Sequence, residues 1–305
     1  GPGGIHLNGL YLMTHYGDRE ESFIAENQAM MQTPLIERPW RYCSIFSSGD
    51  QNHMVVGRNW DNENVGSIIV SLYRPKNGYF SISFSRSIDM NFPLNVDLVS
   101  FRDHPAARKL LLAPFYSFDG INEHGLVVSV AGVSQVNVQA RTGKELIYVP
   151  FLIRKILDRA KTIEEATELV DSYIPFDLDQ GSLNSHFFVA DASGKSVILE
   201  YVEDEWKKFF TDKSWQVLEN RPIHGMTDDE LRAKGWRHRT MSEALEGDEK
   251  NPDWQKGLQI LEAVAQKGTS WSVVYSPTGR DLYFSVYQKW DTVYRLRMPS
   301  TDIAP

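Results

Sequence analysis

The sequence predicts an α+β protein in which mainly antiparallel sheets are covered by helices, within one continuous domain. Three observations carry this expectation. Short β-branched and aromatic runs come in blocks, and the helical segments fall between the blocks rather than alternating strictly with single strands. Hydrophobic residues make up 42% of the 305, enough for a sizeable core. No internal repeat, low-complexity tract or linker-like stretch divides the chain.

In chain order, residues 5–42 are mixed in character. A helix is expected over 20–32, and Arg38-Pro39-Trp40 reads as an extended lead-in to Cys43, the one cysteine of the chain. Beyond it come short strand-like runs at 44–47, 54–58, 67–73 and 79–84. Turn signals separate them: Ser48-Gly49-Asp50, an Asn/Glu loop, and Pro75-Lys76-Asn77-Gly78. Residues 125–133 form another apolar, β-branched stretch. A helix is expected over 151–161, just after Pro150. A second starts at Thr162, with Glu165 three residues on, and Ile163, Ala166, Leu169 and Val170 recur at helical spacing. A hairpin follows over 187–191 and 196–201. Thr227 and Glu230 predict a capped helical region running through Arg237 to Leu245, and 258–265 reads as helix. The chain closes with strands at 272–275, 281–287 and 292–296.

Bulk properties narrow the function. Thirty-two Lys and Arg stand against 40 Asp and Glu, a formal net charge of −8 spread along the chain. Phosphate binding needs clustered cations, so the charge argues against nucleic acid as a partner. No run approaches the ~18 apolar residues of a membrane span. No signal peptide is visible, and Gly1-Pro2-Gly3 reads as an expression-vector remnant. A lone cysteine suits a cytoplasmic or an exported protein, so the compartment stays open. The chain has no Asn-x-Ser/Thr sequon. Its eight histidines lack metal-ligand spacing, and Asp177-Leu178-Asp179-Gln180-Gly181 lacks a full calcium-loop set. Gly1-Pro2-Gly3-Gly4 follows no strand and is no phosphate loop. No cofactor or metal is expected.

The chemistry candidate is Cys43. A lone thiol cannot form an internal disulfide, so it serves packing or chemistry. A thiolate is a strong nucleophile that needs activation, by a histidine or by the cysteine's own α-amine once freed. An α-amine titrates at about 7.7–8.0 and can act as base, then acid, near neutrality. A hairpin joining residues 44–47 and 54–57 would return Arg58 beside Cys43, with Asp61 three residues later. There a guanidinium would favour thiolate, and a carboxylate would hold an α-ammonium. On spacing alone, a buried small hydrophobe with a surface Arg58/Asp61 ion pair is the better account of these residues, since lone buried cysteines are common.

An ordered set of segments adds to this reading. Arg38-Pro39-Trp40 leads into Cys43-Ser44-Ile45-Phe46, and Gly57-Arg58-Asn59-Trp60-Asp61 follows. Then come Phe118-Asp119-Gly120-Ile121-Asn122-Glu123-His124-Gly125-Leu126 and His186-Phe187-Phe188-Val189-Ala190-Asp191-Ala192-Ser193-Gly194. Trp236-Arg237 and Trp271-Ser272-Val273-Val274-Tyr275 complete it. Together they resemble the choloylglycine hydrolase and penicillin V acylase family of N-terminal nucleophile hydrolases, most of all the bacterial linear amide C–N hydrolases. The resemblance runs from about Pro39 to the final strands.

It implies a four-layer αββα sandwich with two packed, mainly antiparallel sheets. Residues 1–42 would be a propeptide or small subunit, released by autoproteolysis at Tyr42–Cys43, and 43–305 a single hydrolase domain. Cys43 would be the nucleophile and its amine the base. Arg58 would polarise the thiol, Asp61 would anchor the amine, Asn220 would donate to the oxyanion, and Arg237 would complete the cluster. The substrate would be a small N-acyl amide, cleaved through a thioester; acyl transfer to an amine and a non-catalytic binding role are the alternatives. A homo-oligomer is compatible with all of these.

Three positions depart from the family pattern. Glu219 stands where Thr is usual before the asparagine. Arg237-His238-Arg239 allows the register to slip to Arg239, although Met241 and Leu245 favour Arg237. The oxyanion position that the bile-salt enzymes fill with a second asparagine falls here near Ala131-Gly132. Met54, Trp60, Phe92 and Phe115 are candidate walls of an apolar acyl pocket. Asn122, Glu123 and Gly125 read as a turn into a buried strand, and His186 as a hydrogen-bonded structural histidine.

Overall fold

The computed structural model describes residues 9–17, 25, 42–62, 66–93, 97–100, 103–137, 143–177, 182–247 and 252–299. The helix expected over 20–32 lies, but for Ala25, outside the described residues.

Two sheets face each other. The larger has eight strands: β1 (Leu10–Tyr16), β4 (Ile68–Arg74), β5 (Ser81–Arg86), β6 (Asp119–Asn122), β7 (Val127–Asn137), β10 (Ser182–Ala190), β11 (Ser196–Val202) and β12 (Glu205–Phe210), in that spatial order. Only β1 runs parallel to its neighbour in this sheet. The six-stranded sheet is antiparallel throughout, in the order β13 (Trp215–Leu218), β2 (Tyr42–Gly49), β3 (Met54–Asp61), β14 (Thr269–Ser276), β15 (Asp281–Val286) and β16 (Tyr294–Arg297). A small parallel pair, β8 (Glu145–Tyr148) and β9 (Tyr173–Phe176), stands apart.

Helices cover both outer faces. Helices α1 (Val149–Arg159) and α2 (Ile163–Val170) lie on the eight-stranded sheet. Helices α4 (Trp236–Glu246) and α5 (Trp254–Ala263) lie on the six-stranded one, and α3 (Asp228–Lys234) packs on α4. The result is the expected α+β sandwich of four layers, αββα. Among the described residues no helix is long and apolar enough to cross a membrane.

The two-residue period of a strand sorts the six-stranded sheet into two faces. Cys43, Ile45, Val56, Trp60, Trp271, Val273 and Tyr275 belong to the core between the sheets. Phe46, Val55, Val217 and Val274 join Met241, Leu245, Leu258 and Leu261 beneath the helices. Gly57 pairs with Phe46, and a Cβ there would overlap the Phe46 ring, so this glycine makes room for a core aromatic.

Several elements differ from expectation at their edges. The capping box at Thr227 and Glu230 is present, but the helix stops at Gly235 and restarts as α4. A Cβ at Gly235 would overlap the Glu219 carboxylate, which fills the notch between the helices. Thr162 caps α2 by accepting from the Glu165 amide, whereas the Glu165 carboxylate takes the Lys161 amide. Asn122 and Gly125 do form the turn into β7, with Gly125 at φ 81°.

Candidate active site

The hairpin of β2 and β3 sets the site. Its register pairs Cys43 with Trp60, Ile45 with Arg58 and Tyr42 with Asp61. Cys43 and Arg58 therefore share the inner face, and Arg58 Nη1 donates to Cys43 Sγ at 3.6 Å. Both side chains are fully buried.

A buried guanidinium must be matched in charge and hydrogen bonds. Arg58 Nη1 also donates to the Asn59 carbonyl at 2.8 Å, and Nη2 to the Val130 carbonyl at 2.9 Å. Its Nε forms an ion pair with Asp119 Oδ2 from β6, across the inter-sheet core. Asp119 in turn accepts from the Tyr275 hydroxyl at 2.5 Å and the Trp271 indole at 3.1 Å. The Arg58 guanidinium lies 4.7 Å from the Trp60 ring centroid, and Trp60 stacks on Trp271 at 5.0 Å.

Burial works against both charges of this pair. It lifts the Asp119 carboxyl above the ordinary carboxylate range, while Arg58, Tyr275 and Trp271 pull it back toward ionisation. For Arg58 burial is outweighed by Asp119 and Cys43, so the guanidinium is held charged beyond its ordinary value. Burial, then Asp119, raises the Tyr275 hydroxyl well above its usual range, keeping it a neutral donor.

The other side of Cys43 is held through its backbone. The Cys43 amide donates to Asn220 Oδ1 at 2.7 Å. Arg237, from the first turn of α4, donates through Nη1 to the Cys43 carbonyl at 2.5 Å and to Ser44 Oγ at 3.0 Å. Its Nη2 donates to Asn220 Oδ1 at 2.7 Å. Asn220 Nδ2 donates to the Gly132 carbonyl at 2.8 Å, tying the loop to β7. Asp61 Oδ1 accepts from Thr269 Oγ1 at 2.6 Å, and its Oδ2 lies 3.8 Å from Arg237 Nη1. Burial pushes the Asp61 carboxyl up to about 6 despite Thr269 and Arg237.

All five residues singled out from the sequence, Cys43, Arg58, Asp61, Asn220 and Arg237, thus converge. Of the two arginines it is Arg237 that reaches Cys43; Arg239 is exposed and donates to the Arg232 carbonyl at 3.5 Å. Glu219 adds a second carboxylate beside Arg237, 3.6 Å from its Nε, and also accepts from Arg221 Nε at 2.8 Å.

Sequence reasoning assigned no role to Asp119, although it lies in one of the quoted segments. Its signal was a carboxylate set among Phe118, Gly120 and Ile121, a strand that can bury it only against a cation. Of the proposed pocket walls, Trp60 is at the site. Met54 is not: it opposes Gly49 at the far end of β3, six residues and roughly 20 Å from Trp60. Phe92 and Phe115 are buried, Phe115 edge-on to Tyr73 at 5.7 Å. No group of three or more His, Cys, Asp or Glu able to hold a metal occurs among the described residues.

Comparison with known proteins bears on this geometry. A search of curated proteins finds no match. Among solved structures, a mutant of conjugated bile acid hydrolase from Clostridium perfringens superposes with a TM-score of 0.61 at 14% identity, over 84% of this chain and 92% of that one. A second variant of that enzyme gives 0.59 at 14% identity, with the same coverage. Penicillin V acylase from Agrobacterium tumefaciens gives 0.58 at 16% identity, over 84% of this chain and 86% of that one. At such identities the likeness establishes the fold, which is that of the N-terminal nucleophile hydrolases. A family model for linear amide C–N hydrolases matches residues 43–262 and begins on the cysteine around which these side chains gather. With that match over most of its length, the chain belongs to the choloylglycine hydrolase family of linear amide C–N hydrolases.

Proposed function

We propose that the chain is a cysteine N-terminal nucleophile amidase that hydrolyses a linear amide of a small N-acyl substrate. The observation that carries this is the grip on Cys43 from three sides: Arg58 on its sulfur, Asn220 on its nitrogen and Arg237 on its carbonyl oxygen. Any buried residue needs partners for its backbone N–H and C=O, but a purely structural cysteine needs no guanidinium on its sulfur.

In the proposed cycle, autoproteolysis first cuts Tyr42–Cys43. The thiol attacks the Tyr42 carbonyl, and water opens the resulting thioester. The freed α-amine then takes the thiol proton, and Arg58 stabilises the thiolate. The thiolate attacks the substrate amide carbonyl, and the Asn220 side-chain amide donates to the oxyanion, an interaction worth ~3 kcal/mol in comparable sites. The α-ammonium protonates the leaving nitrogen, and water hydrolyses the acyl thioester to the acid. Asp61 balances the ammonium.

The part of the chain before Cys43 is proposed to stay on as a small subunit. Strand β1 pairs with β4 at seven consecutive positions, Leu10 with Ile68 through Tyr16 with Arg74. Such a strand would leave a hydrogen-bonded edge exposed if it departed.

The test is a panel of N-acyl amides on processed enzyme, with mass analysis of both fragments. Wild type is expected to carry an N-terminal Cys43 and to release free acid; Cys43→Ala is expected to stay uncut and inactive. Full turnover by enzyme whose Tyr42–Cys43 bond is intact would reject the amine-as-base scheme.

A further inference from the structure

The loop that carries Asn220 is fastened to the eight-stranded sheet by a buried histidine and glutamate. His186 on β10 is fully buried and uses both ring nitrogens. Its Nδ1 lies 2.8 Å from Glu200 Oε1 on β11, and its Nε2 lies 2.9 Å from the Glu219 backbone carbonyl oxygen. Glu200 also accepts the backbone N–H of Ile223 at 2.7 Å and of His224 at 2.9 Å. One His–Glu pair therefore holds both ends of the segment from Glu219 to His224, with Asn220 inside it.

The donor count fixes the protonation state. A carbonyl oxygen can only accept, so Nε2 must carry a hydrogen. The Glu200 carboxylate faces three donors, an arrangement suited to its ionised form, so Nδ1 must carry one too. Burial opposes the Glu200 charge, but His186, Ile223 and His224 together hold its carboxyl below the ordinary value. Among the described residues the ring's hydrogen-bond partners are the Glu200 carboxylate and the Glu219 carbonyl. The cross-strand neighbour of His186 on β7 is Ala131, and the Glu219 carboxylate turns to Arg221 and Arg237.

We propose that His186 is a doubly protonated positioning residue which, with Glu200, clamps the 219–224 loop and thereby sets Asn220 against Cys43. The inference rests on the reading of Asn220 as oxyanion donor. A neutral ring keeps one N–H and must release either Glu200 or the Glu219 carbonyl. The Glu219 bond lies one residue from Asn220, so its loss moves the donor without touching the thiol. A displacement of about 1 Å at a reacting group can lower turnover by about a hundredfold.

The test has two arms. Wild-type protein labelled with 15N-histidine is examined by two-bond 1H–15N correlation at assay pH, the His186 ring being assigned by its loss in His186→Gln. Both ring nitrogens are expected to be protonated; a ring with one bare nitrogen overturns the proposal. In kinetics, His186→Gln is expected to lower kcat roughly ten- to a hundredfold with KM nearly unchanged. Added to Asn220→Ala, the same change should cost little more, because the residue it positions is gone. Full additivity of the two losses overturns the clamp. If His186→Gln does not fold, Glu200→Gln assigns the ring by the shift of its signal and serves for the kinetics, with the same two outcomes. Wild-type enzyme inactive on every acyl amide would sink the amidase reading, while the ring spectrum would still report on the clamp.

Discussion

Two arginines meet Cys43 from opposite sides, and they are held in different ways. Arg58 lies between the sheets, sealed from water, with Asp119 as its counter-ion and aromatic rings around it. Arg237 lies at the start of α4 on the outer side of the sheet, among Asn220, Asp61 and Glu219. Arg58 addresses the sulfur, whereas Arg237 addresses the backbone. The difference teaches that contact with the sulfur and contact with the peptide unit of Cys43 come from separate parts of the molecule. The first is bound to core stability, because a buried charge cannot lose its partner cheaply. The second belongs to a hydrogen-bonded rim, where loss of one group disturbs geometry more than folding.

The largest effect should come from breaking the inner pair. Asp119→Ala leaves the Arg58 charge buried without its counter-ion and is expected to lose about 3–5 kcal/mol in urea unfolding. Replacing both, as Arg58→Met with Asp119→Leu, should restore much of that stability while turnover stays low. A double variant as unstable as Asp119→Ala would show that the pair is not the source of the loss.

Next is Asp61, whose carboxyl sits at about 6 against an ordinary 3.8 because of burial. The native state therefore binds this proton more tightly than the unfolded chain. Its contribution to stability is full below about pH 4 and is lost as pH rises through 6. At pH 7 the ionised group costs roughly 3 kcal/mol. Asp61→Asn should accordingly be more stable than wild type at pH 7, with the gain shrinking toward pH 4, yet be impaired in turnover. Unfolding curves across that pH range check the sign, and a gain that grows on acidification would contradict it.

The smallest stability effect is expected at the rim. Arg237→Ala removes hydrogen bonds to Cys43, Ser44 and Asn220, a loss of about 1–3 kcal/mol in stability against roughly a hundredfold in kcat. Arg239→Ala, two residues along and exposed, should shift stability by no more than about 0.5 kcal/mol and leave kcat as it was. Equal losses from the two would erase the distinction between them.

Much of the inner side was legible because it is local. Cys43, Arg58 and Asp61 lie on one hairpin, and a strand period of two with a turn at Ser48-Gly49-Asp50 suffices to put Arg58 on the thiol's face. The rim was legible only through the ordered motifs, since Asn220 and Arg237 are far from Cys43 in sequence. Strand β12 went unread because Lys207 and Lys208 break its apolar pattern, and they do so because β12 is a sheet edge, where charge deters further pairing. Strand β13 has four residues, too few for a period to stand out. The single helix expected from Thr227 to Leu245 is two, broken at Gly235, where the Glu219 side chain fills the space a Cβ would take.

By itself the sequence determined the class of fold, the order of most elements and the hairpin that joins the candidate nucleophile to its first cation. These follow from periodicity and turn chemistry, which act over a few residues. Only the tertiary structure decided which carboxylate neutralises Arg58, which of two arginines reaches Cys43, and how His186 and Glu200 fasten the loop of Asn220. Those contacts close between two sheets and a helix layer, over separations of up to 194 residues between partners such as Arg237 and Cys43. Burial makes each of them obligatory, because a charge or polar group taken out of water must find its partner wherever in the chain that partner lies.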